Sequence, residues 1–148
     1  MIYQRLFEAK KEKIKSELNE NFYKWFKGSK VIDPKGNPLI CYHGSNKEIS
    51  KFDSKHSAQG VFWFSDNKNK IESGESGAVG TSIIIPVYLS IKKLTSWNEY
   101  EKLGLGQIEE QGYDGIKLDD DYIVFNPNQI KSIYNDGSFD SNDKNIYS

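Results

Sequence analysis

A chain of 148 residues, 36% of them apolar and 14% aromatic, is sized for one domain whose core gains buried area from large rings. Its formal net charge of −1, with acids and bases interspersed, excludes a global field that would draw in nucleic acid or an anionic membrane. The single Cys41 excludes an intramolecular disulfide and a cysteine-based zinc site, and no apolar run approaches the roughly 18 residues of a membrane span.

Residues 5–27 carry Phe7, Ile14, Leu18, Phe22 and Trp25 at helical steps, with lysines on the other faces, which predicts an amphipathic helix ended by Gly28. Met1–Phe7 lead into that charged stretch rather than a signal-peptide core, so a cytoplasmic protein is the default expectation. Asp33-Pro34-Lys35-Gly36-Asn37-Pro38 is a tight turn between Val31-Ile32 and the apolar run Leu39-Ile40-Cys41-Tyr42-His43-Gly44. That run predicts a buried strand ending on an imidazole and a bare backbone, with Ser45 just beyond. Cys41 reads as a small core residue.

Residues 46–59 are polar and read as a loop. Gly60-Val61-Phe62-Trp63-Phe64-Ser65 is a second, aromatic strand, and Ser65 or Asp66 caps a short helix to about Glu72. Residues 73–81 hold three glycines and no bulky anchor, the composition of either a lid or a plain connection. Ser82–Ile91 is the longest strand signal, and Pro86 inside it demands an edge or a bulge. Helices follow from Thr95 or Ser96 to about Leu103 and over 106–111. Strands then follow over 112–118, Asp121–Phe125 and Gln129–Tyr134, with Asp119-Asp120 as a tight bend. Residues 135–148 hold only isolated apolar side chains and are expected to remain a flexible polar tail. Many short strands with segregated helices predict an α+β fold, a mostly antiparallel or mixed and bent sheet, with 1–134 as a single domain.

Alone, His43 is weak evidence, because a histidine at a strand end is usually a hydrogen-bonded structural residue. His43 and His56 with Asp119-Asp120-Asp121 lack the spacing of a metal site, and no nucleophile elbow supports a serine hydrolase. The ordered set is more specific. Tyr42-His43-Gly44-Ser45, Gly60-Val61-Phe62-Trp63-Phe64-Ser65 and Asp121-Tyr122-Ile123-Val124-Phe125 together resemble the ADP-ribosyltransferase superfamily in its diphtheria-toxin-like and poly(ADP-ribose)-polymerase-like branch. Trp25-Phe26-Lys27-Gly28-Ser29-Lys30-Val31, Asp33–Leu39, Val87-Tyr88-Leu89, Gly112–Ile116 and Val124–Ser132 also resemble the small transferase-like domains of phage polyvalent proteins.

The resemblance implies a split, bent sheet and NAD as co-substrate with no metal. Mono-ADP-ribosylation of a macromolecular acceptor is the implied reaction, with a phage or mobile-element effector in a host cytoplasm as its setting; the acceptor itself is not legible, and the near-zero net charge leans towards a protein over a nucleic acid. It assigns His43, Gly44, Ser45, Gly60, Trp63 and Tyr42 to NAD binding, and Asp121 with His43 to the chemistry. Trp63 stands where the family has tyrosine, and Asp121, one methylene shorter, where it has glutamate. A non-catalytic module of the same fold and an NAD glycohydrolase remain as alternatives. Oligomeric state is not legible, and a monomer is the default.

Overall fold

The computed structural model describes residues 14–53, 60–73 and 83–148. Helix α1 spans Glu20–Phe26, where the Asn19 side chain accepts a hydrogen bond from the Phe22 N–H at 2.9 Å. The helix expected over 5–27 is thus shorter at its start. Residues 5–13 lie outside the described residues, and 14–19 are not helical. There Asn19 caps rather than continues the helix, as a short amide side chain prefers, and the Ser16 N–H reaches the Ile133 carbonyl at 2.7 Å. Gly28, with φ of 81°, follows the helix end.

After α1, Asp33 builds the predicted turn by accepting from the N–H groups of Lys35 and Asn37, each at 2.9 Å. Strand β1 is Cys41–Ser45, two residues later than its apolar run begins. Strand β2 is Phe62–Ser65, helix α2 Lys68–Ser73 and strand β3 Ile83–Leu89. Strand β4, Leu94–Ser96, lies where only a helix start is legible in the sequence. It feeds helix α3, Trp97–Glu110, which is capped by Ser96 and broken at Gly104, whose φ of 76° and ψ of 166° leave the helical region. Two helices were expected here, and Gly104 marks their joint. Strands β5, Gly115–Leu118, and β6, Asp121–Val124, close a hairpin over Asp119, and a 3₁₀ turn at Pro127–Gln129 leads to β7, Ile130–Ser132.

The seven strands among the described residues form one sheet in the order β4-β5-β6-β2-β1-β3-β7. Only β4–β5 is parallel, so the expected α+β, mostly antiparallel architecture is the one observed. Pro86 finds its place because β7 pairs with β3 only from Val87 to Leu89. The Pro86 carbonyl, and hence its missing N–H, face the side where that ladder has ended, and Ile133 N donates to it at 3.3 Å.

Alternation along the strands sorts the side chains into two faces. One face holds Cys41, Phe62, Phe64, Ile85, Val87, Leu89, Tyr122 and Val124, closed over by Val31, Phe52, Ile91 and Ile146. The other is covered at the β3 end by Phe22, Trp25 and Phe26 of α1 against Tyr88 and Phe139, and at the β6 end by α3 against Ile123 and Ile116. β1 and β2 are central, and helix α2 packs against both.

Residues 135–148 correct the expectation of a flexible tail. Phe139 and Ile146 are buried in the two cores, and Asn135 clasps the segment by donating to the Ile146 carbonyl and accepting from Gly137 and Phe139 N–H. Lys131, fully buried on β7, donates to the carbonyls of Asp143 (2.8 Å), Asn145 (3.1 Å) and Ser148 (2.5 Å). Composition hid this because the tail is held by its main-chain oxygens and two well-placed apolar anchors, not by overall hydrophobicity.

Replacing Lys131 by Met strands those carbonyls. The expected loss is about 2–4 kcal/mol by denaturant titration, with limited proteolysis cutting within 136–148 before the sheet. Unchanged stability would mean the clasp contributes nothing.

Candidate active site

The site is built where β1 and β2 part. Among the described residues the two strands pair at Tyr42 and Ser65, while β1 continues alongside β3 through Gly44–Ile84 and Ser45–Ile83. Past Tyr42 the Trp63 carbonyl accepts instead from the His43 ring, Nδ1 to O at 2.7 Å. A carbonyl only accepts, so Nδ1 carries the proton and a neutral ring leaves Nε2 as an acceptor. Burial pushes the His43 pKa below its ordinary value against the smaller upward pull of the bond to Trp63, and so favours the neutral ring at physiological pH. Gly44 is buried, with no side chain on the strand edge that turns towards the parted β2.

Trp63 and Asp121 share the other sheet face. Ser65 pairs with Asp121 and Trp63 with Ile123, so Tyr42, Ser65 and Asp121 form one row across three strands and Trp63 and Ile123 the next. Asp121 is 7% exposed at the first position of β6. The His43 ring lies on the opposite face, edge-on to Phe52 (centroids 5.0 Å apart) and tilted on Phe64 (5.3 Å). The strands therefore bring His43, Gly44, Trp63 and Asp121 to neighbouring positions, with His43 reaching Trp63 through its main chain rather than ring to ring.

The remaining candidates divide. The Ser45 hydroxyl donates to the Lys47 carbonyl at 2.7 Å and accepts from its N–H at 3.1 Å, so it shapes the turn behind His43. Gly60 is exposed, with φ of 72°, in the approach to β2. Tyr42 opposes Pro86 and lines a 510 Å³ groove with Ile84, Tyr134 and Tyr147, which includes none of His43, Trp63 and Asp121. His56 and nearly all of the glycine-rich stretch 73–81 lie outside the described residues.

Two features were not read from the sequence. The corner between β2 and α2 grips the bend that presents Asp121: Asp66 N–H donates to the Asp120 carbonyl at 2.9 Å, and Lys70 Nζ lies 2.9 Å from the Asp120 carboxylate. Lys70 holds the Asp120 carboxyl below the usual range, while burial, and then Asp120, push Asp66 up. The second feature is the ring pair Trp97 and Tyr100 of α3 against Trp63. Their spacing in sequence resembles any amphipathic helix, so only the partner strand reveals it. Among the described residues no group of three or more His, Cys, Asp or Glu is placed to hold a metal, and no helix is long and apolar enough to cross a membrane.

Residues 33–102 match the family described as ADP-ribosyltransferase in polyvalent proteins. That stretch, a little under half of the chain, is similar to the family. No curated protein and no solved structure matches the chain. The ADP-ribosyltransferase match contains β1, β2, β3 and the start of α3, and with them His43, Gly44 and Trp63. Asp121 lies beyond it and is joined to the matched segment by the β2–β6 ladder.

Because His43 binds its proton less readily folded than unfolded, its contribution to stability is full above the unfolded value of 6.5 and is lost as pH falls through the lowered one. Urea unfolding from pH 7.5 to 5 is expected to show this loss in the wild type and a shallower one in His43→Gln. Equal slopes would remove the histidine from the account. Lys70→Met should leave the melting temperature near wild type, since half-exposed ion pairs contribute little, yet speed amide exchange at 119–122. Unchanged exchange there would show that Lys70 does not hold the bend.

Proposed function

We infer that the domain transfers ADP-ribose from NAD to a macromolecular acceptor, a protein in preference to nucleic acid, and releases nicotinamide. The observation that carries this reading is the His43–Trp63 main-chain bond at the parting of β1 and β2, inside the matched family segment and one strand from Asp121. A phage or mobile-element effector acting in a host cytoplasm is the setting we propose, on the strength of the family alone.

The residues suit the dinucleotide. Nε2 of a neutral His43 is fitted to accept from a ribose hydroxyl, and the bare edge of Gly44 lets a carboxamide approach the main chain closely. Trp63 supplies a ring face for nicotinamide but no hydroxyl. NAD supplies a glycosidic bond that breaks with positive charge growing on the ribose. In this reading Asp121, which is 7% exposed, stabilises that charge, because a fixed carboxylate acts most strongly where solvent is excluded. The acceptor atom bonds to the ribose carbon, nicotinamide leaves with the electrons of the broken bond, and the acceptor's proton passes to Asp121 or to solvent. Positioning errors of about 1 Å cost on the order of 100-fold, so the shorter Asp121 sets a modest rate.

Incubation with labelled NAD and host lysate is expected to label protein, and His43→Ala or Asp121→Asn to reduce labelling by about 100-fold or more. Nicotinamide release without labelling would indicate a glycohydrolase, and neither product a binding module. Full labelling by both variants would overturn the site.

A further inference from the structure

On the β6 side of the second sheet face three rings cluster, one from β2 and two from α3. Trp63 and Trp97 have centroids 5.7 Å apart at 59°, and Trp97 and Tyr100 4.9 Å apart at 31°. Beneath them Val61, Ile116 and Ile123 are buried, so the wall is fixed on one side, while all three rings are only half-buried. The Glu101 carboxylate accepts from Trp97 Nε1 at 2.5 Å, which uses one oxygen and sets the charge against the ring edge. Asp121 lies on the same sheet face, about 8 Å from the Trp63 backbone by strand geometry. Lys102, the basic residue of this helical turn, pairs loosely with Glu99 at 3.9 Å and is largely exposed.

A half-exposed cluster of rings beside a carboxylate is a setting for a cation. Ring faces attract a positive group, and the adjoining Glu101 carboxylate raises that attraction while repelling phosphate. Among cations a guanidinium fits best, because it is planar, weakly hydrated and able to stack and to donate to a carboxylate at once. We propose that the Trp63–Trp97–Tyr100 wall with Glu101 docks an arginine side chain of the acceptor peptide. Calling the peptide an acceptor rests on the transferase reading, whereas the docking does not. The wall orients the segment and leaves the modified atom to the geometry at Asp121.

The test uses the full chain and a glycine-spaced peptide with three arginines, alongside the same peptide with citrulline, which keeps the shape and removes the charge. The chain has three tryptophans, and indole N–H resonances separate Trp63 and Trp97 from Trp25. The arginine peptide is expected to shift Trp63 and Trp97 but not Trp25, and citrulline to weaken binding about fivefold or more. Glu101→Gln, which can still accept from Trp97, and Tyr100→Ala should each weaken it about fivefold, with thermal melts confirming the fold. Equal binding of both peptides, shifts away from the wall, or tighter binding of oligothymidine would overturn the proposal. Docking without any NAD cleavage would sink the transferase reading alone. Transfer that is indifferent to citrulline and to both variants would sink the docking alone.

Discussion

One hydrogen bond, from the His43 imidazole to the Trp63 carbonyl, organises the middle of the molecule. In a continued antiparallel ladder that carbonyl would be spent on the neighbouring main chain. Taken by a side chain instead, it lets two central strands part without leaving a buried acceptor unsatisfied. The same bond fixes the imidazole tautomer and anchors the backbone that carries the Trp63 ring. A single contact thus sets the protonation state of one group, the position of another and the opening between their strands.

Around that opening the sheet is closed by elements of different kinds. Aromatic residues of α1 seal the β3 side, with Phe22 packing on Phe26, Tyr88 and Phe139 at ring separations of 5.0 and 5.1 Å. The β6 side is sealed by α3 and held by polar ties at Asp120. The two seals differ in how firmly they hold. Stacked, buried rings have little freedom to shift, whereas ties at a half-exposed bend depend on salt and protonation.

Much of this was legible in the sequence. The turn at Asp33–Pro38, the strand ending on His43 and Gly44, and the strand opening on Asp121 are marked by residues with strong local preferences. Gly104 separates the two parts of α3 as its composition implies. Failures came where long-range partners override local preference. Ser16 and Asn19 leave the helical pattern because partners at Ile133 and Gly137 compete for them. The tail orders because Lys131, distant from it in register, collects its carbonyls, and a run of Asp, Ser and Asn gives no hint of that. The opposed faces of His43 and Trp63, and the alliance of Trp63 with Trp97, follow from strand register, which no single segment encodes.

The meeting of Ser16 and Asn135, 119 positions apart, has a kinetic meaning. With a strand order that sets β6 beside β2 and β7 beside β3, nearly every ladder joins distant parts of the chain. Closing such loops costs entropy before any contact repays it, so assembly is slow for a domain of this size. The longest of these closures draws the segment before α1 onto the one after β7, like a drawstring. Phe22 and Phe139 meet only when it is tied, so the aromatic cluster between them depends on segments more than a hundred positions apart.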